Sequence, residues 1–143
     1  MRFMIVVKAT KDTEAGIMPE GQEMEELMGS MAAFHEELAK AGALLDASGL
    51  QPSSKGWRVK YNGEKRSVVD GPFTEAKELI AGYTIIQAKS KEEAMEWSRR
   101  FPNPAGPGKE AEIEVRQLYE LEDFGPVKAA ERFREMEKSF PRG

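Results

Sequence analysis

Two amphipathic helical stretches, each flanked by strand-like runs, constrain this chain more than any other feature. From Glu20 to Ala41, the residues Met24, Leu27, Met28, Met31, Phe34, Leu38 and Ala41 recur at spacings of three and four, drawing an apolar stripe down one long helix. Gly42 ends it, as a residue tolerant of left-handed backbone should. The second stretch opens on Ser90 with Glu93 behind it, the spacing of a capping box, and carries Ala94, Trp97 and Phe101 on one stripe. Around these helices lie RFMIVVKA, ALLDASGLQP, GYTIIQAKS and AEIEVRQLYE, each read as a strand. WRVKYNGEKRSVVD interrupts them as a hairpin, with Trp57, Val59 and Tyr61 alternating with Arg58 and Lys60 and with Asn62-Gly63 as its two-residue turn. PNPAGPGKE is an irregular loop, and a charged terminal helix is expected over 126–140. Without hairpin and tail, the order is βαββαβ, the α+β arrangement of the ferredoxin-like fold.

Such a sheet carries both helices on one face. In the first strand Phe3, Ile5 and Val7 face one way and Met4 and Val6 the other, so both faces are apolar and both need cover. The last strand is expected to share that need. A second copy packed sheet against sheet is the economical cover, which makes a homodimer the expectation. The chain of 143 residues is long enough for one domain with a proper core.

Composition excludes several function classes. There are no cysteines, so disulfides, thiolate metal sites and cysteine nucleophiles are ruled out, and one histidine argues against an all-protein zinc site. A net charge of −4, with bases interleaved among acids, offers nothing to nucleic acid. No glycine-rich phosphate loop is present. No window approaches the roughly 18 apolar residues of a membrane span, and the N-terminal apolar run is too short for a signal-peptide core. The expected compartment is the cytoplasm.

Chemistry would have to come from a few side chains. His35 falls inside the apolar stripe of the first helix, one turn beyond Met31, and so points toward the sheet or its margin. It is either a hydrogen-bonded packing residue or a general acid–base, which would need a carboxylate to orient it. Asp70, delivered at a strand end by Val68 and Val69, is the leading partner, although aspartate also caps turns of the Asp-Gly-Pro type. Asp46, on the strand just after the His35 helix, is the second. Phe73 either walls a pocket or staples a short helix beginning near Thr74, and Lys77 with Glu75 faces solvent or a ligand. If Ile113 and Val115 face the helices, Arg116 shares the opposite face with Glu112, Glu114 and Leu118. There it is a structural ion-pair member or an anion anchor.

The stretch DGPFTEAKELIAGYTII, with EEAMEWSRRFP after it and IEVRQL near the end, resembles the DGPF-domain proteins of the YCII-related family. The likeness runs from Met1 to about Leu121, which would make 1–121 the domain and 122–143 a C-terminal helical extension. It implies a ferredoxin-like domain paired into a dimeric α+β barrel, with a His–aspartate pair in a cleft. His35, Asp70 to Phe73 and Arg116 match the family's landmarks, and its aspartate matches either Asp46 or Asp70. VRQ stands where VRP is common in the family. The expected function is therefore small-molecule binding in a cleft with His35 and Asp70 or Asp46 doing acid–base chemistry, without metal or organic cofactor. The rival is a non-catalytic ligand-binding or regulatory module tied to sigma-factor control of transcription, since DGPF genes often neighbour sigma-factor genes. No nucleic acid and no membrane is expected as a partner.

Overall fold

The computed structural model describes residues 1–141. In chain order it contains β1 (Arg2–Lys8), a single helical turn α1 (Lys11–Glu14), the long helix α2 (Gly21–Lys40) and β2 (Leu44–Gly49). The hairpin strands β3 (Trp57–Asn62) and β4 (Lys65–Asp70) come next, followed by β5 (Ile80–Gln87), α3 (Lys91–Arg99), β6 (Ile113–Gln117) and α4 (Ala130–Lys138). Four strands form an antiparallel sheet in the order β2-β5-β1-β6, and β3 and β4 form a separate two-stranded sheet. With the hairpin set aside, this is the ferredoxin-like order, two split βαβ units interleaved so that each outer strand pairs with an inner strand from the other unit. No helix of the described residues is long and apolar enough to cross a membrane.

Cross-strand partners share a face, so the register sorts the side chains. Phe3, Ile5 and Val7 stand opposite Ile86, Thr84 and Gly82 on one side and opposite Gln117, Val115 and Ile113 on the other. This face meets Phe34 and Leu38 of α2 and Ala94 and Trp97 of α3, making one core in which Ile5, Leu38 and Ile86 have no exposed surface. The opposite face carries Met4, Val6, Tyr83 and Ile85 in the middle; Val6 is buried and the other three are half-buried, and none of them belongs to the cluster under the helices.

Ile113 and Val115 do face the helices, and Arg116 and Glu114 take the other side, 3.6 Å apart. The last strand differs from expectation in one respect: its outer face is charged, with Arg116 77% exposed, so the apolar strip on that face narrows toward the β6 edge. The hairpin turn also differs. Asn62 pairs with Lys65, so the two loop residues are Gly63 and Glu64, and only Gly63 has a positive φ (64°). Glycine at the first loop position is the II′ pattern, not the I′ pattern that Asn-Gly suggests. At α3, Ser90 Oγ accepts from the Glu93 N–H at 3.1 Å, but the Glu93 carboxylate takes the Lys89 N–H instead of closing the box on Ser90. The tail helix starts later than 126, after a 3₁₀ turn at Leu121–Phe124. Residues 142 and 143 of the expected extension lie outside the described residues.

Candidate functional site

Helical periodicity places His35 where the sequence implies, at the margin between α2 and the sheet, with its ring edge-on to Phe34 and Phe101. Nδ1 lies 2.7 Å from the Met31 carbonyl oxygen and Nε2 lies 2.8 Å from Thr84 Oγ1. A carbonyl can only accept, so Nδ1 carries a proton and, in the neutral ring, Nε2 accepts from the Thr84 hydroxyl. Both nitrogens are engaged. Thr84 is itself 2% exposed and faces the helices, so the hydroxyl has a buried partner in place of water.

The expected His–carboxylate pair is not formed. Asp46 follows an irregularity in the β2 register, stands opposite Ile85, and so lies on the other face of the sheet from Thr84. There its Oδ2 accepts from the Tyr83 hydroxyl at 3.1 Å, and Oδ1 accepts the Ala47 N–H at 2.9 Å. Asp46, by this hydrogen bond and then by its charge, pushes the Tyr83 phenol above its ordinary value of 10.0. Asp70 is the last residue of β4, exposed and opposite Trp57 in the hairpin.

The residues after Asp70 form a clasp at the hairpin's base. The Gly71 N–H donates to the Gly56 carbonyl at 3.0 Å, and the Phe73 N–H donates to Ser53 Oγ at 2.9 Å. Ser53 in turn donates its hydroxyl and its N–H to the Glu14 carboxylate, which ties the clasp to the turn after β1. Phe73 lies beneath the Arg58 guanidinium, 3.8 Å from the ring centroid, and the short helix behind it is a 3₁₀ turn over Ala76–Glu78 that exposes Lys77. The six predicted residues therefore occupy separate places: His35 under the helices, Asp46 and Arg116 on the outer sheet face, Asp70 and Phe73 at the hairpin base, and Lys77 on the surface.

What the structure does bring together is a cleft of about 620 Å³ at the carboxyl end of β1. Val7, Lys8 and Thr10 form its floor, the loop from Ile17 to Glu20 and Glu23 one wall, and Pro104, Ala105, Lys109 and Ala111 the other. The second wall is the proline-glycine loop, pinned by Asn103, whose side chain donates to the Lys109 carbonyl at 2.7 Å and accepts the Ala105 N–H at 2.9 Å. Lys8, Asp12, Glu20, Glu23 and Lys109 bring charges of both signs into the cleft, and none of them is in an ion pair among the described residues. Sequence reasoning missed this cleft. Its one legible signal was that two irregular, charged loops follow β1 and precede β6, neighbours in the fold.

The family model described as YCII-related domain matches residues 1–121. An uncharacterized protein of Rhizobium meliloti (strain 1021) is 31% identical over 97 residues, covering 68% of this chain and 77% of that protein. Among solved structures, the 5-chloro-2-hydroxyhydroquinone dehydrochlorinase from Burkholderia phenoliruptrix AC1100, in complex with 2,5-dihydroxybenzoquinone, is 12% identical. The likeness covers 83% of this chain and 94% of that one, with a TM-score of 0.41.

Proposed function

The chain belongs to the YCII-related family, and from that premise we propose that it binds a small polar molecule in the cleft at the end of β1, as a homodimer paired through the outer sheet face. The observation that carries the reading is the set of unpaired charges in a concavity of ligand size. Pockets for small ligands run from about 300 to 1,000 Å³ and fix their ligand with a few convergent polar groups. Lys8 and Lys109 suit an acidic group on the ligand, and Asp12, Glu20 and Glu23 suit a basic one. His35 supports binding without acid–base catalysis, because both ring nitrogens already hold partners and neither points a free lone pair at a substrate.

The reading is tested by thermal shift with a panel of amino acids and small carboxylic acids. At least one should raise the melting temperature in a concentration-dependent way, as a ligand that binds only the folded state must. Lys8→Met combined with Lys109→Met should remove that shift, and Thr84→Val, outside the cleft, should keep it. Silence across the panel, or a shift indifferent to both lysines, would overturn the assignment.

A further inference from the structure

The cleft at the end of β1 sorts its charges by wall. Asp12, Glu20 and Glu23 all come from the segment that leads into α2, whereas Lys8 rises from the floor and Lys109 from the opposite loop. Both lysines are held in place. Val7 and Lys8 are neighbours on β1 and would point to opposite faces of a regular strand, yet both line the cleft. The pairing of β1 with β5 shifts register between them, the kind of irregularity that re-aims a side chain. The Lys109 N–H donates to the Gly106 carbonyl at 3.2 Å, and its own carbonyl accepts from Asn103. Its stem lies over Gly106, where an added Cβ would stand 3.8 Å from Lys109 Cδ. On the acidic wall, Glu20 occupies the N-cap position of α2, but its carboxylate makes no capping hydrogen bond.

We infer that the small molecule bound in this cleft is a zwitterion on an apolar frame, its ammonium against the acidic wall and its carboxylate against Lys8 and Lys109. This rests on the cleft being a binding site, as proposed above, and adds the class of ligand. A simple carboxylate would gain the two lysines but meet three carboxylates across the cleft. A simple amine would gain those carboxylates but meet both lysines. At equal distance, like charges disfavour by as much as opposite charges favour, so a singly charged ligand loses much of what it gains. A molecule carrying both signs gains on both walls. Between the charges, Val7, Ile17, Met18, Pro104 and Ala105 line the cleft with apolar surface that suits a hydrocarbon frame.

Four probes on a common hydrocarbon skeleton test the class. Norleucine and 6-aminohexanoate are zwitterionic isomers that differ in the separation of their charges, and hexanoate and hexylamine carry one charge each at neutral pH. In calorimetric titration of the full chain, at least one zwitterion should bind about tenfold or more tightly than either singly charged probe, the ratio set by one further charge-assisted contact. Glu20→Gln combined with Glu23→Gln should bring that zwitterion down to the affinity of hexanoate. Both carboxylates are exposed, so the variant folds. A singly charged probe that matches both zwitterions overturns the zwitterion and leaves the cleft a binding site. Silence of both zwitterions while a member of the wider panel binds does the same. Zwitterion binding that is indifferent to the two glutamates overturns the place given to the ammonium, and with it the inference. No binding by any probe or panel member overturns both the ligand class and the cleft.

Discussion

His35 joins α2 to β5 through a single buried hydroxyl. Replacing it with alanine strands the Thr84 Oγ, and a buried polar group left without its partner costs about 1–3 kcal/mol. His35→Ala should therefore lower the unfolding free energy read from denaturant titration by that amount while ligand binding per folded molecule stays intact. Unchanged stability with lost binding would return the residue to the site. Tyr83 allows a pH experiment. Its phenol is raised above 10.0 in the folded chain by Asp46, so the protonated form is favoured by folding. A group with a raised folded pKa contributes stability that is present below its unfolded value and lost as pH rises through the folded one. The loss belongs to the alkaline limb above pH 10.0. Asp46→Asn should move the phenolate absorbance step of Tyr83 to lower pH. A step at the same pH in both proteins would show that the carboxylate does not act on the phenol.

The hairpin shows how an element is attached to a domain. A Cβ added to Gly71 would lie 1.9 Å from the Ser53 carbonyl oxygen and 2.7 Å from its carbon, which are backbone atoms that cannot swing aside. Gly71 is not among the glycines with positive φ, so the requirement is close approach and not left-handed geometry. Gly71→Ala must open the contact between Ser53 and the clasp, at a cost on the order of 3 kcal/mol as for other overpacked sites. Urea unfolding reads this directly, and a midpoint equal to that of the parent chain would disprove the clash. The same clasp explains the Asp-Gly-Pro-Phe run. Its backbone N–H groups, more than its side chains, hold the base of the arm to Ser53 and Gly56.

Seen whole, the molecule has one finished face and one unfinished face. The helices cover Phe3, Ile5, Ile86 and Val115, and Met4, Val6, Tyr83 and Ile85 face away from them. If a second copy supplies the cover, Ile85→Asp places a charge in the interface and should yield a folded 16.0 kDa monomer by sedimentation equilibrium, where the parent sediments as a dimer. A parent chain that is monomeric at micromolar concentration would remove the pairing. The order of strands and helices was legible because it rests on local periodicity: period two in RFMIVV, and three-to-four spacing from Met24 to Leu38. Gly42, with φ of 71°, was legible for the same reason, since a helix stop is a property of neighbouring backbone. The site was not. Whether a carboxylate meets His35 depends on which face of the sheet each strand residue takes, and the irregularity within β2 sends Asp46 to Tyr83 and leaves His35 with Thr84. The cleft is made from loops some ninety residues apart, joined only because β1 and β6 pair and Lys8 bonds to Glu112 at 3.1 Å. Local sequence sets what each segment can form; the sheet register alone decides which side chains come within reach of one another.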